Sequence, residues 1–176
     1  MSHSDGFGTN PAGGHLFVEL DIPSSASYLS LARLVVTSAA ASLGSPLSAE
    51  RLDGLRLAVS EACANAITAH RVIGSDAAVS IRLELSGPGV AVEVVDRGPG
   101  FDPEALPVPL APTDPARLDH ESGLGIALMR QLMDRTEIRS SSSGTAVRLE
   151  VWTGPTQPSE RAGGILGAPP SRLNHS

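Results

Sequence analysis

Three short stretches of the sequence set an acid or an amide among small residues. In Arg56-Leu-Ala-Val-Ser-Glu-Ala-Cys-Ala-Asn-Ala-Ile67, Glu61 and Asn65 stand four residues apart. On a helix that spacing puts them on one face, one turn apart. A carboxylate there can accept a proton, and an amide oxygen is a neutral ligand for a hard cation such as Mg²⁺. In Val94-Val-Asp-Arg-Gly-Pro-Gly-Phe-Asp102, a strand pattern runs into Asp96 and then into Gly98 and Gly100. A carboxylate at a strand end accepts hydrogen bonds from an exocyclic amine, and glycines let backbone approach a flat ring or a phosphate. In Glu121-Ser-Gly-Leu-Gly-Ile-Ala-Leu128, Gly123, Leu124 and Gly125 open a helix. The free N–H groups and the dipole at such a helix start favour an anion. Each stretch alone also has an ordinary explanation: a polar pair on a solvated edge, a strand-ending turn, a helix start capped by Ser122.

The elements needed to position these residues are legible in the hydropathy pattern. Leu16, Val18 and Leu20 alternate in a strand over 15–22 that Pro23 ends. Ser24 and Ser25 supply a cap for a helix through Ala41, and Gly44 and Pro46 break it. Ser48 opens a second helix over about 49–70 that carries Glu61 and Asn65; it is apolar almost all round, as a helix packed on both sides must be. Strands are expected at 77–85 and 89–96, joined by a hairpin turn at 86–89. A helix from Gly123 to about Asp134 and strands at 136–140 and 145–152 complete the body. Between the second and third chemical stretches lie twenty residues, 102–121, with five prolines. Loops of that length are uncommon unless functional or disordered, and the placement suggests a lid. Residues 1–14 and 153–176 are rich in Gly, Pro and Ser and read as disordered tails around one domain over 15–152.

Composition removes several classes. Apolar residues make up 41% of the 176-residue chain but aromatics only 3%, so the core must be Leu, Val, Ile and Ala. All 13 basic residues are Arg. Mechanisms built on a lysine are therefore excluded, among them a Walker A loop and a Schiff-base enzyme. The same bias also has a bland reading in genome composition. With a net charge of −6 and no basic stripe, direct nucleic-acid binding is not expected. Cys63 is the single cysteine and reads as a core filler. No apolar run approaches a bilayer span and the first residues lack a secretory pattern, so a soluble cytoplasmic protein without membrane contact is expected.

Taken together, the order and spacing of the three stretches resemble the GHKL ATPase superfamily, whose nucleotide fold is the Bergerat fold. Ser60-Glu-Ala-Cys-Ala-Asn-Ala66 looks like the N-box of the anti-sigma factor serine/threonine kinases, and Gly123-Leu-Gly-Ile-Ala-Leu-Met-Arg-Gln-Leu-Met-Asp134 like their second glycine box. Gly144-Thr145 resembles the closing Gly-Thr element. The resemblance covers about 15–152. It implies an α+β fold: a two-layer α/β sandwich with a mixed, mainly antiparallel sheet covered by helices on one face. It implies ATP and Mg²⁺, with Glu61 as general base toward a serine hydroxyl of a partner and Asn65 as the Mg²⁺ ligand. By the same resemblance Asp96 accepts from the adenine amino group, and Gly98 and Gly100 shape the adenine pocket. Gly123, Leu124 and Gly125 approach the phosphates, and Thr145 lies near the adenine. Arg117 in the lid is the first candidate for a phosphate-binding cation, with Arg130 and Arg56 behind it. The implied partners are a sigma factor and an anti-sigma-factor antagonist, and a homodimer is implied too. One departure stands out. Family members often carry a His four residues after the Asn, where this chain has Ala69, with His70 one further on. A one-residue shift turns a helical side chain by ~100°, so His70 does not substitute directly. Two readings follow, a kinase or a nucleotide-gated protein-binding regulator with little or no kinase activity.

Overall fold

A computed structural model describes residues 16–43, 46–86, 89–102 and 121–154, the side chains of 121–123 excepted. The chain runs β1 (Leu16–Ile22), α1 (Leu29–Ala41), α2 (Ala49–Val72), β2 (Val79–Ser86), β3 (Gly89–Val95), α3 (Glu121–Leu132), β4 (Arg135–Ser141) and β5 (Gly144–Trp152). A short 3₁₀ turn, Ala26–Tyr28, leads into α1. The expected Ser48 cap is present, its hydroxyl accepting from the Arg51 N–H, whereas Ser25 caps only the 3₁₀ turn, accepting from the Ser27 N–H, and α1 itself starts after Tyr28 with no side-chain cap. Residues 103–120 of the proposed lid, with Arg117, and the proposed tails apart from 153–154 lie outside the described residues, and Glu121 belongs to α3.

The five strands form one sheet in the order β1-β2-β3-β5-β4, and every pairing is antiparallel. The expected mixed sheet thus narrows to a wholly antiparallel one among the described residues. Alternation decides what each face does. Val79, Ile81, Leu83 and Leu85 of β2, Val90, Val92 and Val94 of β3, and Val147, Leu149 and Val151 of β5 are buried under the helices. They meet Ala32, Val36 and Ala40 of α1, Leu55, Val59 and Cys63 of α2, and Ile126 and Met129 of α3. Each fully buried Val or Leu contributes roughly 1.5–3 kcal/mol. Burial also pushes the Cys63 thiol up to about 12, so this cysteine is a buried thiol and no nucleophile.

Among the described residues, the opposite face carries charges and no second layer. Arg82 reaches Glu19 at 3.0 Å and Glu93 at 3.7 Å, and Arg139 reaches Glu93 at 2.5 Å. Arg148 bridges Glu150 at 2.7 Å and Glu84 at 3.4 Å; hydrogen bonding to Glu150 is the main cause of its raised pKa. Surface pairs of this kind are each worth only ~0–1 kcal/mol, but together they leave the face solvated and the helices on one side. Among the described residues, no helix is long and apolar enough to cross a membrane.

Candidate nucleotide and phosphotransfer site

α2 lies between α1 and α3, and its Glu61 and Asn65 fall on the side that meets α3. Glu61 is half-buried and Asn65 exposed. The residue of α3 that meets them is Gly125. A Cβ placed there would stand 2.9 Å from Glu61 Oε2 and 3.6 Å from Asn65 Nδ2. Only a glycine lets the first turns of α3 come this close without displacing the carboxylate. The structure therefore brings the first and third chemical stretches together. α3 runs from Glu121, two residues before the expected start at Gly123.

The second stretch closes the other end. Asp96 directly follows β3 and is 7% exposed. Its Oδ1 accepts from the Gly98 N–H at 2.7 Å and from the Thr145 N–H at 3.2 Å, while its own N–H donates to the Thr145 carbonyl at 2.9 Å. Among the described residues no donor reaches Oδ2, which is left to accept from something else. Thr145 is buried, with its hydroxyl 3.2 Å from that of Ser140. Ser140 accepts in turn from the Phe101 N–H at 2.8 Å. A cavity of about 290 Å³ opens here, lined by Val95, Asp96, Ser140, Gly144 and Thr145 among others.

The glycines of this loop serve its own chain first. Gly100 and Gly144 both have positive φ, at 69° and 138°, which disfavours any side chain. A Cβ on Gly100 would strike the Ser141 carbonyl, and one on Gly144 the Asp96 carbonyl. They lock the Asp96 loop to the β4–β5 hairpin. Gly98 makes room in the other direction, where a Cβ would lie 2.6 Å from the Ala69 Cβ.

Neither of the reserve arginines is brought to this site. Arg56 pairs with Asp53 at 3.0 Å on the exposed side of α2. Arg130 sits in the last turn of α3, about 10 Å along the axis from Gly123.

Two polar residues beside the Asp96 loop have no role assigned to them by the sequence. His70 is fully buried on the stripe of Cys63, Ala66 and Ile67, and it bonds Arg97 and Ser24. A polar residue in register with a buried stripe was the available signal. Ser140 alternates inward with Thr136 and Ile138 on β4, but its partners depend on strand register.

Residues 22–151 match the family model described as histidine kinase-like ATPase domain. The serine-protein kinase RsbW of Bacillus velezensis is 30% identical over 141 residues, covering 78% of this chain and 87% of that protein. The RsbW of Bacillus pumilus is 33% identical over 133 residues, 73% and 81% of the two chains. The anti-sigma F factor of Thermoanaerobacter pseudethanolicus is 32% identical over 139 residues, 78% and 94%. Among solved structures, the RsbU and RsbW domains of a Mycobacterium tuberculosis protein superpose with a TM-score of 0.57 at 16% identity. That match covers 81% of this chain but 34% of the other, and it shows the fold alone. A family match across 22–151 and relatives at 30–33% identity make the chain a member of the histidine kinase-like ATPase domain family.

Proposed function

We propose that the chain is an ATP-dependent serine/threonine protein kinase that phosphorylates an anti-sigma-factor antagonist and holds a sigma factor inactive. The observation that carries this reading is the meeting of Gly125 with Glu61 and Asn65, which sets a half-buried carboxylate and an amide against the start of α3. The names of the relatives, serine-protein kinase and anti-sigma F factor, support it.

In this reading each group has one task. Asp96 turns Oδ2 toward the adenine amino group, because backbone donors already hold Oδ1. A guanine carbonyl at that place would face a carboxylate, which selects ATP over GTP. The N–H groups of the first turn of α3, with Gly123, Leu124 and Gly125, face the phosphates. Asn65 offers its amide oxygen to Mg²⁺. The donor set fits that ion, which keeps several waters and takes most of its remaining ligands from phosphates. When bound, Mg·ATP supplies the phosphoryl group. Glu61 accepts the proton of the partner's serine hydroxyl. The chain acts in the cytoplasm, as a homodimer.

Ala69 favours a second reading, a nucleotide-gated regulator with little transfer, because it stands where family members often have a His. Incubating the chain with labelled ATP, Mg²⁺ and candidate antagonists separates the two. Label on a serine or threonine of a partner supports the kinase; tight ATP binding with no labelled partner supports the regulator.

A further inference from the structure

We infer that His70 is a positioning residue for nucleotide recognition, holding the Asp96 loop to α2 through the backbone N–H of Arg97. The inference rests on the reading of that loop as the nucleotide-binding one.

The imidazole is fully buried and touches two other segments of the chain. Its Nε2 lies 2.8 Å from the Arg97 backbone nitrogen, and its Nδ1 lies 3.2 Å from the Ser24 hydroxyl. A backbone N–H can only donate, so Nε2 carries the lone pair. Nδ1 then carries the proton and donates to Ser24, which fixes the neutral tautomer.

Three successive N–H groups of the loop are committed. That of Asp96 goes to Thr145, that of Gly98 to the Asp96 side chain, and that of Arg97 to His70. The first two tie the loop to the sheet or to itself. Among the described residues, the third is the hydrogen bond from these N–H groups to α2, the helix that carries Glu61 and Asn65. His70 stands five residues beyond Asn65, about 7.5 Å along the axis. It therefore sets the distance between the end of the site that reads the base and the end that holds the metal and the proton acceptor. Ala69 completes the seat, since its methyl is what Gly98 packs against. The departure at position 69 and the shifted histidine are thus one device, a small residue for close approach followed by an acceptor that fastens the loop.

The test uses the full chain and three variants. In His70→Gln the amide oxygen reaches the place of Nε2 and can accept from Arg97. In His70→Asn the side chain is too short to do so, and His70→Leu has no acceptor. Three readouts are taken: hydrogen exchange of the Arg97 amide without nucleotide, the Kd for Mg·ATP by calorimetry, and the melting temperature. The expected result is a protected Arg97 amide and ATP affinity within about threefold of the parent in the Gln variant. The Asn and Leu variants lose that protection and bind ATP roughly tenfold more weakly. Equal affinities for the Gln and Asn variants, or unchanged Arg97 exchange in the Asn variant, would overturn the inference. If the Leu variant does not fold, the Gln and Asn pair decides alone. Asp96→Asn serves as the control. Parental ATP affinity in that variant would refute the nucleotide-loop reading, while the Arg97 exchange still reports on the His70 bond.

Discussion

Replacing Gly125 by alanine should separate stability from activity. Inside a helix, Gly→Ala is worth about 1 kcal/mol of stabilisation. Against it stands the new Cβ, 2.9 Å from Glu61 Oε2, where ordinary contact begins at about 3.4 Å. The carboxylate must retreat by about half an ångström. Because it is the far end of a flexible side chain, the retreat costs ~0.5–1 kcal/mol, an off-rotamer adjustment. The net change in stability is within about 1 kcal/mol of zero, a melting temperature within a few degrees of the parent. The catalytic consequence is larger. A misplacement of 1 Å can cost about 10²-fold, so half of that predicts roughly a tenfold slower phosphate transfer. The assay is single-turnover transfer from labelled ATP to a serine antagonist, run beside a thermal melt and ATP calorimetry. Unchanged transfer would refute the placement of Glu61 against α3. A fall in transfer matched by a collapse of the melting temperature would refute the separation of the two effects.

Three further outcomes follow from particular contacts. Asp134 receives a two-pronged Arg51 guanidinium at 2.6 and 3.1 Å and the Trp152 N–H at 2.9 Å, so Asp134→Ala should cost about 2–4 kcal/mol in denaturant unfolding. Asp96→Asn should keep the fold, since its amide oxygen can still take the Gly98 and Thr145 N–H groups, but its NH₂ then opposes the adenine amine. Calorimetry should show at least a tenfold loss of ATP affinity. Cys63 keeps its proton in the folded protein up to about 12, whereas the unfolded thiol releases it near 9. Above pH 9 the unfolded state therefore binds fewer protons, and stability falls as pH rises toward 12 by about 1.4 kcal/mol per pH unit. Chemical melts of the parent should lose stability more steeply over that window than those of Cys63→Ala.

Much of this was readable from residue order because the relevant physics is local. The alternation of Val79, Ile81, Leu83 and Leu85 marks a strand with one buried face, and the Ser48 cap fixes the start of α2. Spacing alone puts Glu61 and Asn65 on one helical face. What spacing could not give is the partner across space. Inserting β5 between β3 and β4 puts Thr145 beside Asp96, and periodicity carries no record of strand order. The loop glycines read as room for a ligand, yet Gly100 and Gly144 are first required by their own neighbours. Spacing compares His70 only with a histidine that it does not replace. Its partner, a backbone N–H twenty-seven residues away, appears only when the loop folds back onto α2.

The lack of lysine also finds a structural counterpart. On the open sheet face, Arg82 and Arg148 each bridge two carboxylates, a task suited to a planar fork of donors.

If Glu61 takes the proton of a partner's serine, the rest of the site should bind ATP without it. The most direct measurement compares the parent with Glu61→Gln, which keeps the shape and removes the base, for single-turnover transfer from labelled ATP. The expected result is a loss of at least a hundredfold in transfer with ATP affinity within a few-fold of the parent. Transfer at the parental rate in the Gln variant would contradict it.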